Sequence, residues 1–582
     1  MVFEPTRIQI RFVSLQQRRE RGRNVFENVM AAFLRLWKFA VNLGRFDAAH
    51  PLRTPPLAEF LEFACPVNAA VLRYTRVKQS GTVYLVGAGP GDAGLLTMRG
   101  AELIGRADVL VYDALVNTEM LRLARADAEV IYGGKRAKDH AMPQEELNRL
   151  LVSKAKSGKL VVRLKGGDPY IFGRGGEEAE ELARAGVRFE VVPGVSSFAA
   201  APNYAGIPVT HRDCCSSFTV FTGHEDPEKP ETSLDWNALA RIPGTKIMLM
   251  GVERIRSISA ELMSSGMPPG TPVALVRWGT TGQQRSVEGT LATIADAVEK
   301  ASFTAPAVAV IGDVVLKRSK LNWFEHRPLF GRRVVVTRTR EQSSQMSKQL
   351  LDLGAEVLEI PTIKVVPPSN SAAMVEALVG LNAYEWIVFT SPNGVRCFFE
   401  AFFKGFEDLR DFGGARIAAV GPATAAKLRE LHLKVDLMPE AYVASKIADA
   451  LKGYQDVENV RMLLVRAEVA TPELPSKLED LGAIVDDVAF YKTIPETEDL
   501  TGTAAKFEEG GADWVTFTSS STVENFHARF DMTQLRKKWP NLRYASIGPE
   551  TSKALEKLGV TADIEASPHT IEGLVGALLR KA

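Results

Sequence analysis

Cysteine is scarce: Cys65, Cys214, Cys215 and Cys397 are the four in 582 residues. They form no Cys-x-x-Cys pair and no disulfide framework, which points to a reducing compartment, and we expect the cytoplasm. The eight histidines are scattered, so no His/Cys group has metal-site spacing and no metal is expected. No apolar run approaches the roughly 18 residues of a membrane span. A net charge of +1 gives no global argument for nucleic acid.

What is present is the composition of a globular chain, 46% hydrophobic and 24% charged, long enough for about three or four domains. Charge is uneven: residues 1–80 carry an excess of +7 and the remainder −6. QQRRERGR (16–23) reads as a solvated basic run. NVFENVMAAFLRLWKFAVNLGRF (24–46) has the pattern of a basic amphipathic helix, which leaves a membrane-surface or targeting role open, although Arg35 and Lys38 interrupt it as a secretory signal. PLRTPPL (51–57) reads as a linker. Residues 1–80 are therefore expected to be a poorly ordered basic extension, or the product of a start codon placed upstream of a true one near Val77, since the compact pattern begins at Gly81.

From there strands alternate with helices and end in polar, glycine-rich clusters. TVYLVGAGPGDAGLLT (82–97) is strand, turn and helix. Its Gly87 and Gly89 fit the start of a dinucleotide fingerprint, but Asp92 stands where the third glycine belongs. ADVLVYDALV (107–116) ends a strand at Tyr112-Asp113, and EVIYGGKR (129–136) ends another at Lys135-Arg136. LKGGDPYIFGRGGEE (164–178) follows a buried-looking strand, VVRLK. It lacks the GxxxxGK[ST] pattern of a phosphate cradle, yet glycines there permit close approach of a ligand to the backbone. VVPGVSSFAAAPNYAGIPVTHRD (191–213) adds a short strand, a small-residue helix and a turn. Ligands in open α/β sheets bind beyond the carboxyl ends of the strands, so these clusters are expected to converge on one cleft.

In this order GAGPGD, YDALV, GGKR, GGDPYIFGRGGEE, PGVSS and AGIPVTHR resemble the tetrapyrrole methylases, most closely the S-adenosylmethionine-dependent uroporphyrinogen III C-methyltransferases. IMLMGV (247–252), RWGTTGQQR (277–285) and PAVAVIGDVV (306–315) extend the match over about 81–327. The resemblance implies a two-domain methylase fold, S-adenosyl-L-methionine as methyl donor, and a homodimer through this half. It implies that Pro90, Gly166, Gly167, Asp168, Ile171, Ser196, Ser197, Met250 and Gly279 bind the donor. It also implies Asp113 as the base that takes a proton from the macrocycle and Lys135 as a proton donor. Read alone, Asp113 fits a helix cap, Lys135 a surface lysine and Met250 core packing equally well. A substrate with eight carboxylates needs cations, for which Arg136, Arg163, Arg174 and Arg212 are candidates; each alone fits a surface charge.

After WFEHRPLFGRR (323–333) the chain repeats itself with a period of 128. RRVVVTRTRE (332–341) matches VRMLLVRAEV (460–469), LGAEV (353–357) matches LGAIV (481–485), and WIVFTSPNGV (386–395) matches WVTFTSSSTV (514–523). AAVGPATAAKLREL (418–431) matches ASIGPETSKALEKL (545–558), one residue shorter. Each repeat is a parallel α/β unit, and two lobes imply a cleft lined by SPNG, GPAT, SSST and GPET. These segments resemble uroporphyrinogen III synthase over about 331–582. The resemblance implies that one lobe is formed by about 331–365 plus 492–582 and the other by about 366–491. It implies that Tyr491 is the acid in closing hydroxymethylbilane with ring inversion, and that Ser520 and Thr551 bind substrate. The alternatives are interface packing for Tyr491 and helix capping for the hydroxyls.

The fold class expected is therefore α/β throughout: a two-domain methylase followed by a bilobal synthase of parallel lobes. The function implied is production of uroporphyrinogen III and its methylation at C-2 and C-7 to precorrin-2, on the way to sirohaem or cobalamin. A methylase of a later corrin intermediate and a tetrapyrrole sensor without turnover are the competing readings. The first is disfavoured by the synthase segment, the second by Asp113 and the GGDP loop.

Overall fold

The computed structural model describes residues 81–582 except 135–141, 225–232, 339, 441–443, 500 and 582. The expected basic extension, Lys135 and Arg136 lie outside the described residues.

The first sheet is wholly parallel. It contains β1 (Thr82–Gly87), β2 (Val109–Tyr112), β3 (Glu129–Tyr132), β4 (Val161–Lys165) and β5 (Arg188–Val192), ordered β3-β2-β4-β1-β5. Every residue of the inner strands β2 and β4 is buried, whereas the edges β3 and β5 are partly exposed. This is the near-continuous apolar pattern of strands covered on both faces. Alternation along β1 splits the core: Tyr84 and Val86 pack with Leu103 and Ile104 of one helix, Val83 and Leu85 with Leu147 and Leu151 of another. Each such fully buried aliphatic side chain contributes about 1.5–3 kcal/mol.

The second sheet is mixed: β6 (Phe218–Thr222), β7 (Thr245–Leu249), β8 (Pro272–Arg277), β9 (Arg285–Thr290) and β10 (Ala307–Ile311), ordered β6-β7-β10-β8-β9. Only β6 and β7 run parallel. Cys214 and Cys215 pack against its core as free thiols, the latter with Sγ 3.2 Å from Thr245 Oγ1.

The repeated half forms two further sheets from β11 (Arg333–Val336), β12 (Glu356–Glu359), β13 (Ile363–Val366), β14 (Trp386–Phe389), β15 (Arg416–Ala419), β16 (Arg461–Ala467), β17 (Ile484–Pro495), β18 (Trp514–Phe517), β19 (Arg543–Ser546) and β20 (Ile564–Glu565). One has the order β12-β11-β18-β19-β20 and the other β13-β17-β16-β14-β15. Matched repeats occupy matched places: β12 and β17, β11 and β16, β18 and β14, β19 and β15. Each sheet thus takes one strand pair from each linear repeat. The two chain crossings pair with each other, β13 running antiparallel to β17 with Ile363 opposite Pro495 and Val366 opposite Lys492. That pairing carries the middle lobe's sheet out to residues 363 and 495, a few residues beyond the expected 366 and 491 on each side.

Candidate functional site

The loop that follows β4 is tied backbone to backbone to its neighbours. Gly89 and Gly167 exchange N–H···O bonds of 3.1 and 2.7 Å, and the Ala88 N–H donates to Lys165 O at 2.7 Å. A Cβ on Gly194 would stand 2.2 Å from Gly167 O, and one on Gly87 2.5 Å from the Gly194 backbone, so these glycines serve close chain approach. Gly166 is confined likewise, since a Cβ there would lie 2.8 Å from Leu115 Cβ. Gly167 differs. It has φ +69°, and the nearest atom to a Cβ placed on it would be the Ser197 amide nitrogen, at 4.0 Å. The open space beside this glycine pair is therefore at Gly167, facing the start of helix Ser197–Tyr204, and not at Gly166. Ser196 is the N-cap of that helix and its hydroxyl makes no capping bond; the Ala199 and Ala200 N–H groups donate to its carbonyl, so the N–H groups of Ser197 and Phe198 are those facing out at the helix start.

Asp168 builds the loop: Oδ1 accepts from the Tyr170 N–H at 2.8 Å and Oδ2 from the Gly194 N–H at 3.0 Å. Tyr170, Ile171 and Phe172 are exposed beyond it. Five of the nine non-glycine residues with positive φ among the described residues lie in the loops after β4, β7 and β8: Phe172, Arg174, Met250, Trp278 and Thr280. Such conformations cost on the order of 1–3 kcal/mol each and cluster where a site dictates the backbone. Met250 is one of them, at φ 56° and half exposed, so the core-packing alternative does not hold for it. Trp278 and Thr280 flank Gly279, whose missing Cβ lets the loop lie against Ala201 of the helix Ser197–Tyr204, 2.5 Å from where that atom would be. Neither residue stood out in the sequence, because bulky and β-branched side chains do not signal left-handed backbone.

Asp113 ends β2. Its Oδ1 accepts from the Leu115 N–H at 3.1 Å, and its Oδ2 lies 3.6 Å from Arg163 Nη2. Arg163 was expected as a cation for substrate carboxylates, but it lies on the fully buried β4 with its side chain 5% exposed. It is spent on protein partners: Asp113, Glu178 Oε1 at 3.3 Å and the Leu164 carbonyl at 3.2 Å. Glu178 also accepts from Lys165 Nζ at 2.8 Å. Burial, with the neighbouring Arg163 guanidinium, pushes the Lys165 ammonium down despite that carboxylate. The result is a buried chain of charges that ends on Asp113. Arg174 is exposed and paired with Glu177 at 2.6 Å, and Arg212 is exposed.

Pro90 lines a cleft of about 480 Å³ shared by both halves of the chain, with Asp92, Asn117, Thr280 and Gln283 on one wall and Glu356, Glu359 and Lys506 on the other. Asp92 joins loops of both methylase-like sheets: its N–H donates to Thr280 Oγ1 at 3.0 Å, and its Oδ2 accepts from the Tyr204 hydroxyl at 2.7 Å. Among the described residues no group of three His, Cys, Asp or Glu is placed to hold a metal, and no helix is long and apolar enough to cross a membrane.

In the repeated half, SPNG and GPAT follow β14 and β15, while SSST and GPET follow β18 and β19. Tyr491 on β17 is buried, and its hydroxyl lies 2.9 Å from Ser391 Oγ of SPNG. Burial pushes this phenol up, which keeps its proton in place at neutral pH. Ser520 donates to Glu550 O at 3.1 Å, joining SSST to GPET; the cap of its helix is Ser519, not Ser520. Thr551 is 3% exposed inside the first turn of helix Pro549–Lys557, whose N-cap is Gly548.

Comparison with known proteins agrees with this division. The family described as Tetrapyrrole (Corrin/Porphyrin) Methylases matches residues 82–295, and Uroporphyrinogen-III synthase HemD matches 344–576. Porphyrin biosynthesis protein HemD of Ruminiclostridium josui is 38% identical over 501 residues, 86% of this chain and 98% of that one. A uroporphyrinogen-III C-methyltransferase of Bacillus subtilis (strain 168) is 43% identical over 365 residues, 63% of this chain and 75% of its own. An S-adenosyl-L-methionine-dependent uroporphyrinogen III methyltransferase of Methanosarcina barkeri is 54% identical over 235 residues, 40% of this chain and 92% of its own. The chain therefore belongs to the tetrapyrrole methylases through its first half and to the uroporphyrinogen-III synthases through its second, as a fusion of the two.

Proposed function

We propose that the second half, about 331–582, closes hydroxymethylbilane to uroporphyrinogen III with inversion of its last ring and loss of water. The first half, about 81–327, then methylates that product at C-2 and C-7 to precorrin-2, supplying a sirohaem or cobalamin route in the cytoplasm. S-adenosyl-L-methionine, when bound, supplies the electrophilic methyl group. Gly167, Asp168, Ser196 and Ser197 form the seat for it, with Pro90, Ile171, Met250 and Gly279 on the surrounding loops. Asp113 takes the proton that the macrocycle loses, and Arg163 holds that carboxylate in place from the buried side. Lys135 serves as proton donor, and Arg136, Arg174 and Arg212 are cations for the substrate's carboxylates.

The observation that carries this reading is the placement of Asp113. It sits at a strand end, fixed by a buried guanidinium, two residues from the Leu115 that packs on Gly166 of the donor loop. Holding two reactants in register supplies several kcal/mol of a bimolecular barrier, so rigid loops suit the task. In the second half, Tyr491 keeps its proton and acts as the acid for the departing hydroxyl, while Ser520 and Thr551 contact or shape the substrate's surroundings.

The test supplies hydroxymethylbilane and S-adenosylmethionine to the purified chain and follows product mass and absorbance. A dimethylated product is expected. Absence of methylation sinks the methylase reading, and a trimethylated product assigns the chain to a later step. Sedimentation of the purified chain tests the homodimer that the first half is proposed to form.

A further inference from the structure

The cleft between the halves has one wall made of methylase loops: 90–93 after β1, 114–119 after β2, and 278–283 after β8. These loops adjoin Asp113 and Gly279. The other wall is built on β12 of the synthase half. Two carboxylates of that strand reach across. Glu359, 7% exposed, pairs with Arg122, on the helical segment Thr118–Leu123 that follows Asp113. Glu356 accepts from Gln283, four residues beyond Gly279. It is anchored on its own side by Arg333 Nε at 2.8 Å and Lys506 Nζ at 2.7 Å.

The two walls also meet backbone to backbone. A Cβ on Gly282 would stand 2.3 Å from Glu356 N. The methylase loops brace one another behind this contact. Asn117 Nδ2 donates to Gly91 O at 2.8 Å, and the Asp92 N–H donates to Thr280 Oγ1 at 3.0 Å. A tether joining two independent enzymes needs only a linker of suitable length. It does not need a carboxylate buried at the joint, which is costly unless paired.

We propose that β12 of the synthase half is a positioning element of the methylase site. Glu359 through Arg122, and Glu356 through Gln283, hold the loops that carry Asp113 and Gly279, and so set the affinity for the methyl donor. This rests on the methylase reading of the first half. The cleft itself is a joint and not a corridor. Asp92, Glu119, Asp352, Glu356 and Glu359 outnumber Arg122, Arg327 and Lys506 on its walls, which disfavours passage of a polycarboxylate.

The test uses the full chain with Glu359→Gln, Arg122→Ala and the double variant. Calorimetric titration with S-adenosylhomocysteine reads donor-site affinity, and conversion of hydroxymethylbilane reads the synthase half. Each single variant is expected to weaken binding by about five-fold or more, a usual size for coupling between sites. The double variant should be no worse than the weaker single, as for one shared contact. Synthase turnover should stay at the parent rate. Unchanged affinity in both singles, additive losses in the double, or a parallel fall in synthase turnover each overturns the proposal. A parent chain that binds no S-adenosylhomocysteine overturns the methylase reading instead, and the two failures are thereby distinct.

Discussion

Replacing Gly167 with alanine separates two roles that glycine plays in the loop after β4, which we propose as the donor loop. The residue has φ +69°, and an alanine there meets no atom closer than the Ser197 nitrogen at 4.0 Å. The stability cost is then backbone strain alone, about 1–2 kcal/mol for an L-residue in the left-handed region. The added methyl occupies the opening that we assign to the donor, and a misfit of about 1–3 kcal/mol in a packed site corresponds to roughly five- to 150-fold in affinity. Gly194→Ala is the contrasting case. Its Cβ would lie 2.2 Å from Gly167 O, backbone that cannot turn aside, so a loss of about 3 kcal/mol or more is expected. Gly176→Ala, in the helix Gly175–Arg184 with nothing within 4 Å, should stabilise by about 0.5–1 kcal/mol and leave binding alone. Denaturant unfolding measures stability at the transition that S-adenosylhomocysteine shifts, since a ligand marks the half it binds. Titration of the same ligand measures affinity. A Gly167→Ala chain that binds as the parent does would refute the seat, and a Gly194→Ala chain as stable as the parent would refute the packing argument.

Glu178→Ala should cost about 3–5 kcal/mol in unfolding, because it leaves Lys165 and Arg163 buried without their shared carboxylate. Tyr491→Phe should slow ring closure, and unchanged turnover on hydroxymethylbilane removes the acid role; the lost hydrogen bond to Ser391 costs about 1 kcal/mol. The folded-state pKa of Tyr491 is raised by burial, so its contribution to stability is complete below about pH 10 and is lost as pH rises through the folded value. Unfolding measured above pH 10 should accordingly find the phenylalanine variant less sensitive to alkali than the parent. Burial alone would raise the Glu356 carboxyl, but Lys506 and Arg333 overcome it and hold the group below the usual glutamate range. Its stabilisation is present above about pH 4.3 and disappears as pH falls through the folded value, so the difference between parent and Glu356→Gln should shrink on acidification.

The alternation of strands and polar loops was legible because buried parallel strands read as apolar runs, and VVRLK was the clearest of them. The same strand hid the fate of Arg163. A cation is read as exposed by default, and it is Glu178, fifteen positions on, together with Asp113, that supplies the countercharge for burial. GGEE carried that signal, since its second glutamate is the buried one. Met250 was obscured in the opposite way: methionine suggests a core, but the turn after β7 puts it at positive φ and half in solvent. Thr551, the last residue of GPET, had helix capping as its alternative role, but the N-cap position falls to Gly548, three residues earlier. The glycines of the donor loop were visible, but not their division of labour. Which of them faces another backbone and which faces open space depends on loops 27 to 80 residues away.

The linear repeat shows why the lobes are harder to read than the strands. A period of 128 places equivalent strands in equivalent sheet positions, yet pairing respects adjacency in space and not in the repeat. β11 pairs with β18, setting Val335 opposite Val515, while β14 pairs with β16, setting Val388 opposite Leu464. Closing the longer of these loops adds little, since closure entropy grows only with the logarithm of length, by about 0.6 kcal/mol for each doubling. The exchange of strand pairs is thus inexpensive, and it has a consequence for the candidate synthase site. Tyr491 comes from β17 of the second repeat and its partner Ser391 from the loop after β14 of the first. Neither repeat alone holds both members of that pair. The tyrosine's environment is created only when β17 has paired with β16 and β16 with β14, so the site forms together with the sheet that joins strands of both repeats.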